Sequence, residues 1–260
     1  VVCTSLTSIE VGEGNTEYSS MDGVLFDKNK TTLVMLPNGR SGHYTVPDSV
    51  TSIGQSAFAH CKSLTSITIS ESVTSIGSYA FHDCSGLTSL VIPNSVITIE
   101  APSAFNGCSS LSSIMVGEGN PNYSSKDGVL FNKNKTTLIQ FPRGKSGHYT
   151  IPDGATSVGG QAFWYCTNLT SVTIPNSVAS IGGGAFAECH SLTSVTIPEG
   201  VTSIGGDAFI NCYGLTSVTI PNTVTSISGR AFANTKLTTV SIPNPDCVIA
   251  DDAFDSSVTV

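Results

Sequence analysis

The chain has 260 residues, and its 11 basic against 19 acidic side chains leave a formal net charge of −8. Charged residues make up 12%, about half the share usual in a soluble domain, whereas Ser and Thr together number 68. This balance argues against a nucleic-acid binder, which needs Lys and Arg in excess. No apolar run approaches the ~18 residues that span a bilayer.

Taken in chain order, the pattern begins in mid-coil at Val1, which leaves room for a leader or further repeats upstream. From Tyr18 to Phe26, and again from Tyr123 to Phe131, an excursion carries Asp-Gly-Val-Leu-Phe. Four polar residues follow (27–30 and 132–135), then Thr-Thr-Leu and a short apolar run. Two β-prone runs around a polar turn predict a β-hairpin. Next, Ser-Gly-His-Tyr places His43 and His148 at matching points, each expected to set its Tyr against the hairpin.

From Phe58 onward the sequence repeats. Ala-Phe-x-x-Cys recurs at Phe58/Cys61, Phe81/Cys84, Phe105/Cys108, Phe163/Cys166, Phe186/Cys189 and Phe209/Cys212, with degenerate copies at Phe232 and Phe254. The spacing is 22 to 24 residues except for one interval of 58. A period of this kind is the mark of stacked coils, none of which buries its core alone. Within a unit, Ile67 and Ile69 alternate with Ser66 and Thr68, the period-2 pattern of a strand with one buried face. Val73 and Ile76 point inward from a second extended stretch, and Gly77 allows a tight corner. Ala80-Phe81-x-x-Cys84 reads as one helical turn with Phe81 and Cys84 inward.

A second order lies above the first. Val11–Ile69 aligns without gaps on Val116–Ile174 at an offset of 105, with about two thirds identity. The predicted organisation is a single solenoid over 1–260, duplicated as 3–107 and 108–212, with degenerate units at 213–260. Seven of the eight cysteines share one register position. They read as a row of buried thiols, because parallel side chains one ladder apart suit neither a disulfide nor a tetrahedral zinc site.

The unit Leu-x-x-Ile-x-Ile-Pro-x-x-Val-x-x-Ile-Gly-x-x-Ala-Phe-x-x-Cys resembles the BspA-type leucine-rich repeat. The segment from Asp127 to Phe131, continued at Gly147–Asp153, is similar to the hairpin coil of many members. The resemblance implies an α/β leucine-rich-repeat solenoid, mostly β with short helical turns, forming a curved right-handed superhelix with two inserted β-hairpins. It also implies an extracellular or cell-surface, non-enzymatic adhesion module that contacts a host or matrix protein or glycan. It carries over no catalytic residue and no cofactor.

The residues themselves agree that catalysis is unsupported: the chain has no G-x-S-x-G elbow, P-loop or H-E-x-x-H, and no carboxylate pair repeats in register. His60, His82 and His190 fall on the exposed part of the turn. Asp251, Asp252 and Asp255 read as a solvated acidic corner rather than a Ca²⁺ site, so no metal is expected. The alternatives are a polysaccharide-active β-solenoid enzyme or an intracellular scaffold. Three candidate contact regions remain. One is an outward hydroxyl ladder that includes Ser66, Thr68, Ser171, Thr173, Ser194 and Thr196, interrupted by Val91 and Met115. The second is a basic hairpin knob of Lys133, Lys135, Arg143 and Lys145. The third is the aromatic pair Trp164 and Tyr165, which replaces Ala59 and His60 of the first block.

Overall fold

The computed structural model describes residues 3–260, which fall into two compact units that divide between Lys133 and Asn134. Each unit is a β-solenoid. Among the described residues there is no α-helix, and one 3-10 turn covers Ser103–Phe105.

A coil of the first unit shows the construction. Leu64–Thr68 forms the long strand, with Leu64 and Ile67 buried and Thr65 and Thr68 exposed. It pairs in parallel with Gly42–Thr45 of the preceding coil. Ser75–Ile76 forms a short strand on a second side, in parallel register between Ser52–Ile53 and Thr98–Ile99. Val73, Ile76, Phe81, Cys84 and Leu87 close the core at 1% exposure or less. At the corner, a Cβ on Gly77 would sit 2.9 Å from Gln55 N of the coil beneath. Close stacking of backbones, rather than a special turn, therefore demands glycine there.

The Ala-Phe-x-x-Cys segment differs from the expected helical turn. Its alternate N–H groups leave the segment and donate to the next coil: Ser56 N to Ser78 O at 3.0 Å, Phe58 N to Ala80 O at 2.8 Å, His60 N to His82 O at 2.6 Å. The intervening groups close tight turns, Ala59 N donating to Ser56 O and Cys61 N to Phe58 O. Ser56 and His60 accordingly take φ of 58° and 62°, which no α-helix contains. An isolated turn gains from i→i−4 bonds; a stacked one gains more by joining its neighbour. The inward placement of Phe and Cys is as the sequence predicts.

Phenylalanine rings stack along each unit. Phe58–Phe81 and Phe81–Phe105 centroids are 5.3 and 5.9 Å apart in the first unit. In the second, Phe141, Phe163, Phe186, Phe209, Phe232 and Phe254 follow at 4.6 to 5.1 Å. Six register cysteines are buried. Four of them place Sγ 3.0 to 3.2 Å from a Phe carbonyl of the coil beneath: Cys84 on Phe58, Cys108 on Phe81, Cys189 on Phe163, Cys212 on Phe186. The thiol thus fills space and satisfies a buried acceptor. Cys3, expected to join this row, is exposed instead.

The inserted excursion is larger than one hairpin. Tyr18–Met21, Val24–Asp27 and Thr32–Met35 form an antiparallel meander whose third strand continues in parallel to Ser52–Ile53. The predicted turn at 27–30 joins the second and third strands. The additional turn, Asp22-Gly23, has φ of 51° and 74°, the left-handed pair that a two-residue hairpin needs. Tyr123–Lys126 and Val129–Asn132 repeat that first hairpin at Asp127-Gly128. In the second unit Thr137–Gln140 opens a parallel row through Ser157–Val158, Ser180–Ile181, Ser203–Ile204, Ser226–Ile227 and Val248–Ile249.

Candidate binding surfaces

The long strands of the second unit bring most of the predicted hydroxyls onto one face. His148 and Thr150 of Gly147–Thr150 pair with Ser171 and Thr173 of Leu169–Thr173. Ser194 and Thr196 pair with Ser217 and Thr219, and Thr193 N donates to Thr170 O to join the two sets. Thr150, Thr173, Ser194, Thr196, Ser217 and Thr219 are all exposed. Beyond the Thr row the strands end in Ile-Pro, and Thr173, Thr196, Thr219, Ile197, Pro198 and Pro221 line an open groove of about 650 Å³. Its rim carries a single charged side chain, Glu199.

His148 belongs to this face, which the sequence reading did not foresee. Its Nδ1 lies 2.8 Å from Ser171 Oγ, and its Nε2 lies 3.1 Å from Thr150 Oγ1 and 3.3 Å from Thr173 Oγ1. His43 repeats the arrangement in the first unit with Ser66, Thr45 and Thr68 at 2.8, 3.1 and 3.3 Å. The adjoining tyrosines pack on core rings: Tyr44 meets Phe58 edge-on at 5.8 Å, and Tyr149 meets Phe141 at 4.9 Å. Elsewhere in the first unit the face changes character, because Val91 and Met115 pair across neighbouring strands with about half their surface exposed.

The four basic candidates do not behave alike. Lys133 is exposed, but its ammonium donates to the carbonyls of Glu118 and Asn120. Lys28 does the same to Asn15 O at 2.6 Å. These two lysines pin the meander to its own loop. Lys135 is exposed at the turn, Lys145 is half-buried, and the Arg143 guanidinium lies 4.6 Å over Trp164 and 5.5 Å over Tyr165.

That stack opens an aromatic strip along the turns of the second unit. Trp164 meets Tyr165 edge-on at 5.2 Å, Tyr165 meets His190 at 6.0 Å, and His190 meets Tyr213 at 5.1 Å. Tyr165 and Tyr213 keep 42% and 50% of their surface exposed. Glu188 holds His190 through a 2.9 Å contact to Nε2 and accepts from Asn211 Nδ2 at 2.5 Å. Sequence alone named Trp164 and Tyr165; the continuation through His190 and Tyr213 needs the coil spacing.

The turns of the first unit gather three other groups, His60, His82 and Asp83. His60 and Asp83 sit 23 residues apart at the same register position, which is the signal the sequence held. The acidic corner at Asp251, Asp252 and Asp255 gathers no comparable mixed set among the described residues. The buried thiols show no reactive character: desolvation pushes Cys61, Cys166 and Cys212 up to about 12.

The family model described as BspA type leucine rich repeat region matches residues 38–146 and 140–260. A leucine-rich cell surface protein from Faecalibacterium prausnitzii shares 33% identity over 81% of this chain, with a TM-score of 0.63. The chain spans 63% of that protein's length. A leucine-rich repeat protein from Eubacterium ventriosum shares 27% identity over 84% of the chain and 77% of its own, with a TM-score of 0.54. The pneumococcal vaccine antigen PcpA has the same fold at 23% identity, covering 84% of this chain and 67% of its own, with a TM-score of 0.63. No curated protein matches the chain. Among the described residues no helix is long and apolar enough to cross a membrane.

Proposed function

We propose that this chain, which belongs to the BspA-type leucine-rich repeat family, is a non-enzymatic binding module of a cell surface or secreted protein. Its ligand is an extracellular protein or glycan of host or matrix. The observation that carries the reading is the exposed Thr150–Thr173–Thr196–Thr219 row running into the Ile-Pro groove. Hydroxyls are cheap to desolvate beside charges, so such a face takes a neutral, extended ligand with modest affinity. Repetition of the contact along the coils raises avidity without strengthening any one contact.

The aromatic strip supports a second contact region. Tyr165 and Tyr213 present large rigid surfaces at little conformational cost, and Arg143 holds the Trp164 end in place.

A glycan and extracellular-matrix array probed with the purified chain tests the proposal. Thr196→Lys with Thr219→Lys should abolish binding to whatever ligand wild type retains. Trp164→Ala with Tyr165→Ala should weaken it if the strip contributes. Replacing Lys135, Arg143 and Lys145 by Gln should lower its salt sensitivity. Full binding in the Thr196/Thr219 variant would overturn the groove assignment.

A further inference from the structure

We infer that His60, His82 and Asp83 form a binding site for a divalent transition-metal cation of the Zn²⁺ type. One donor atom from each lies within 4.8 Å of the other two. His60 Nδ1 stands 3.2 Å from Asp83 Oδ2, and His82 Nε2 stands 3.9 Å from the same oxygen. Tetrahedral zinc with bonds of ~2.0–2.1 Å to nitrogen and oxygen separates its donors by roughly 3.3 Å, so the two distances straddle what the ion requires. Two imidazoles and a carboxylate are a donor set that suits zinc and its neighbours and not Ca²⁺ or Mg²⁺.

The donors are held rather than merely close. His60 N donates to His82 O at 2.6 Å, and Asp83 N donates to Asn106 O at 2.7 Å, so all three residues lie on the ladder that joins successive turns. His60 and Asp83 both adopt left-handed backbone, φ 62° and 55°, which puts equivalent side chains one above the other. The His82 ring is wedged edge-on between His60 at 5.1 Å and Tyr79 at 5.7 Å. Its Nδ1 is buried without a hydrogen-bond partner, so its polar contacts run through Nε2, which faces Asp83.

Room for the carboxylate comes from the next coil. A Cβ on Gly107 would fall 1.9 Å from Asp83 Oδ1, so any side chain there would evict the carboxylate. Among the described residues no lysine or arginine pairs with Asp83. The three side chains keep 28%, 34% and 37% exposure, which leaves the fourth coordination position open to water or to a ligand atom. The matching turns of the second unit carry Tyr165, Ala187 and Glu188, and they provide an internal control.

The test is titration of the chelator-stripped full chain with Zn²⁺ by calorimetry, and with Co²⁺ by visible absorption. Cys3→Ser and Cys247→Ser are built into the background, because Cys3 lines the 340 Å³ cavity beside His60 and His82 and a thiolate would compete for the metal. The expected result is one ion per chain, with Co²⁺ giving the intense d–d bands of a low-symmetry site. His82→Gln and Asp83→Asn should each weaken binding by about tenfold or more, while His190→Ala leaves it unchanged. Circular dichroism of each variant shows whether the coil is intact. Absence of stoichiometric binding in the parent, or binding that survives His82→Gln and Asp83→Asn together, would overturn the site.

Discussion

The turn that bears His60 and the turn that bears Tyr165 occupy equivalent positions in two blocks of about two thirds identity. Around them the coils are built alike. Both rows have His next to Ser and Thr at the same distances, both set Cys against a carbonyl of the coil beneath, Cys61 on Leu36 and Cys166 on Phe141, and both pin the meander with one lysine. The turns diverge: two imidazoles meet the Asp83 carboxylate in the first block, whereas the second keeps a carboxylate, Glu188, but sets it beside an arginine-capped aromatic strip. Side chains on the turn contribute little to the ladder, which is made by backbone. Sequence can therefore change there without cost to the coil, and that freedom is where the two blocks acquire different surface chemistry.

The comparison can be broken most forcefully in the core, where the blocks should respond alike. Phe186→Ala and its counterpart Phe81→Ala each remove a fully buried ring and should cost about 3–5 kcal/mol. Phe186 should be the worse of the two, because its neighbours lie at 4.6 and 5.1 Å against 5.3 and 5.9 Å for Phe81. Urea unfolding checks this. Equal, wild-type-like midpoints would contradict the coil assignment.

A smaller effect should separate Asn120 from its counterpart Asn15. Asn120 is fully buried, donates to Pro93 O and Val96 O at 2.9 Å, and accepts from Asn122 N and Tyr123 N. Asn15 is exposed and accepts only the matching pair, from Glu17 N and Tyr18 N. Asn120→Ala should thus cost about 2–3 kcal/mol, since it strands buried carbonyls, and Asn15→Ala about 1. Thermal melts that rank them the other way would refute this account of the loop.

Cysteine substitutions should again match between blocks. Cys166→Ser and Cys61→Ser place a hydroxyl in an apolar slot and should each cost about 1–2 kcal/mol. The same slots set a pH limit. Burial raises Cys61 and Cys166 from an ordinary value near 9 to about 12. Their contribution is complete below pH 9 and is lost as pH rises toward 12, because only the unfolded chain ionises in between. Denaturation midpoints that stay flat from pH 9 to 12 would count against it.

The smallest difference lies at Asp27, which is Asn132 in the second block. Slight burial works against the Asp27 carboxylate. Hydrogen bonds from Thr32 N, Thr31 Oγ1 and Thr31 N outweigh it and hold the group below its usual range. The stability this gives is present above the ordinary carboxylate value and is lost as pH falls through the lowered one. Asp27→Asn should change neutral stability by under about 0.5 kcal/mol and flatten the acid limb of the curve. An unchanged acid limb would show that other carboxylates set it.

What the sequence disclosed follows from which forces act locally. The 23-residue period, the inward Phe and Cys, and the strand alternation were legible because burial of each residue type repeats in every coil. The helical reading of Ala-Phe-x-x-Cys failed because the bonds that shape it run to the next coil, 22 residues away. The first hairpin was missed although Asp22-Gly23 and Asp127-Gly128 stood in plain view as turn dipeptides. The His60–Asp83 pairing and the strip from Tyr165 to Tyr213 required knowing which turn positions stack. Lys133 looked like a free cation because nothing local announces the carbonyls that hold it.

The outward-directed N–H groups of the turns have a mechanical consequence. Within a unit each coil is stitched to the next by short strand and turn, while the long strands pair in twos, so neither continuous side offers a seam for peeling. Under tension the array should resist until one whole coil detaches, then extend by roughly 75 Å as its 23 residues straighten. An array built of such steps should stretch in a sawtooth and recoil as coils re-stack.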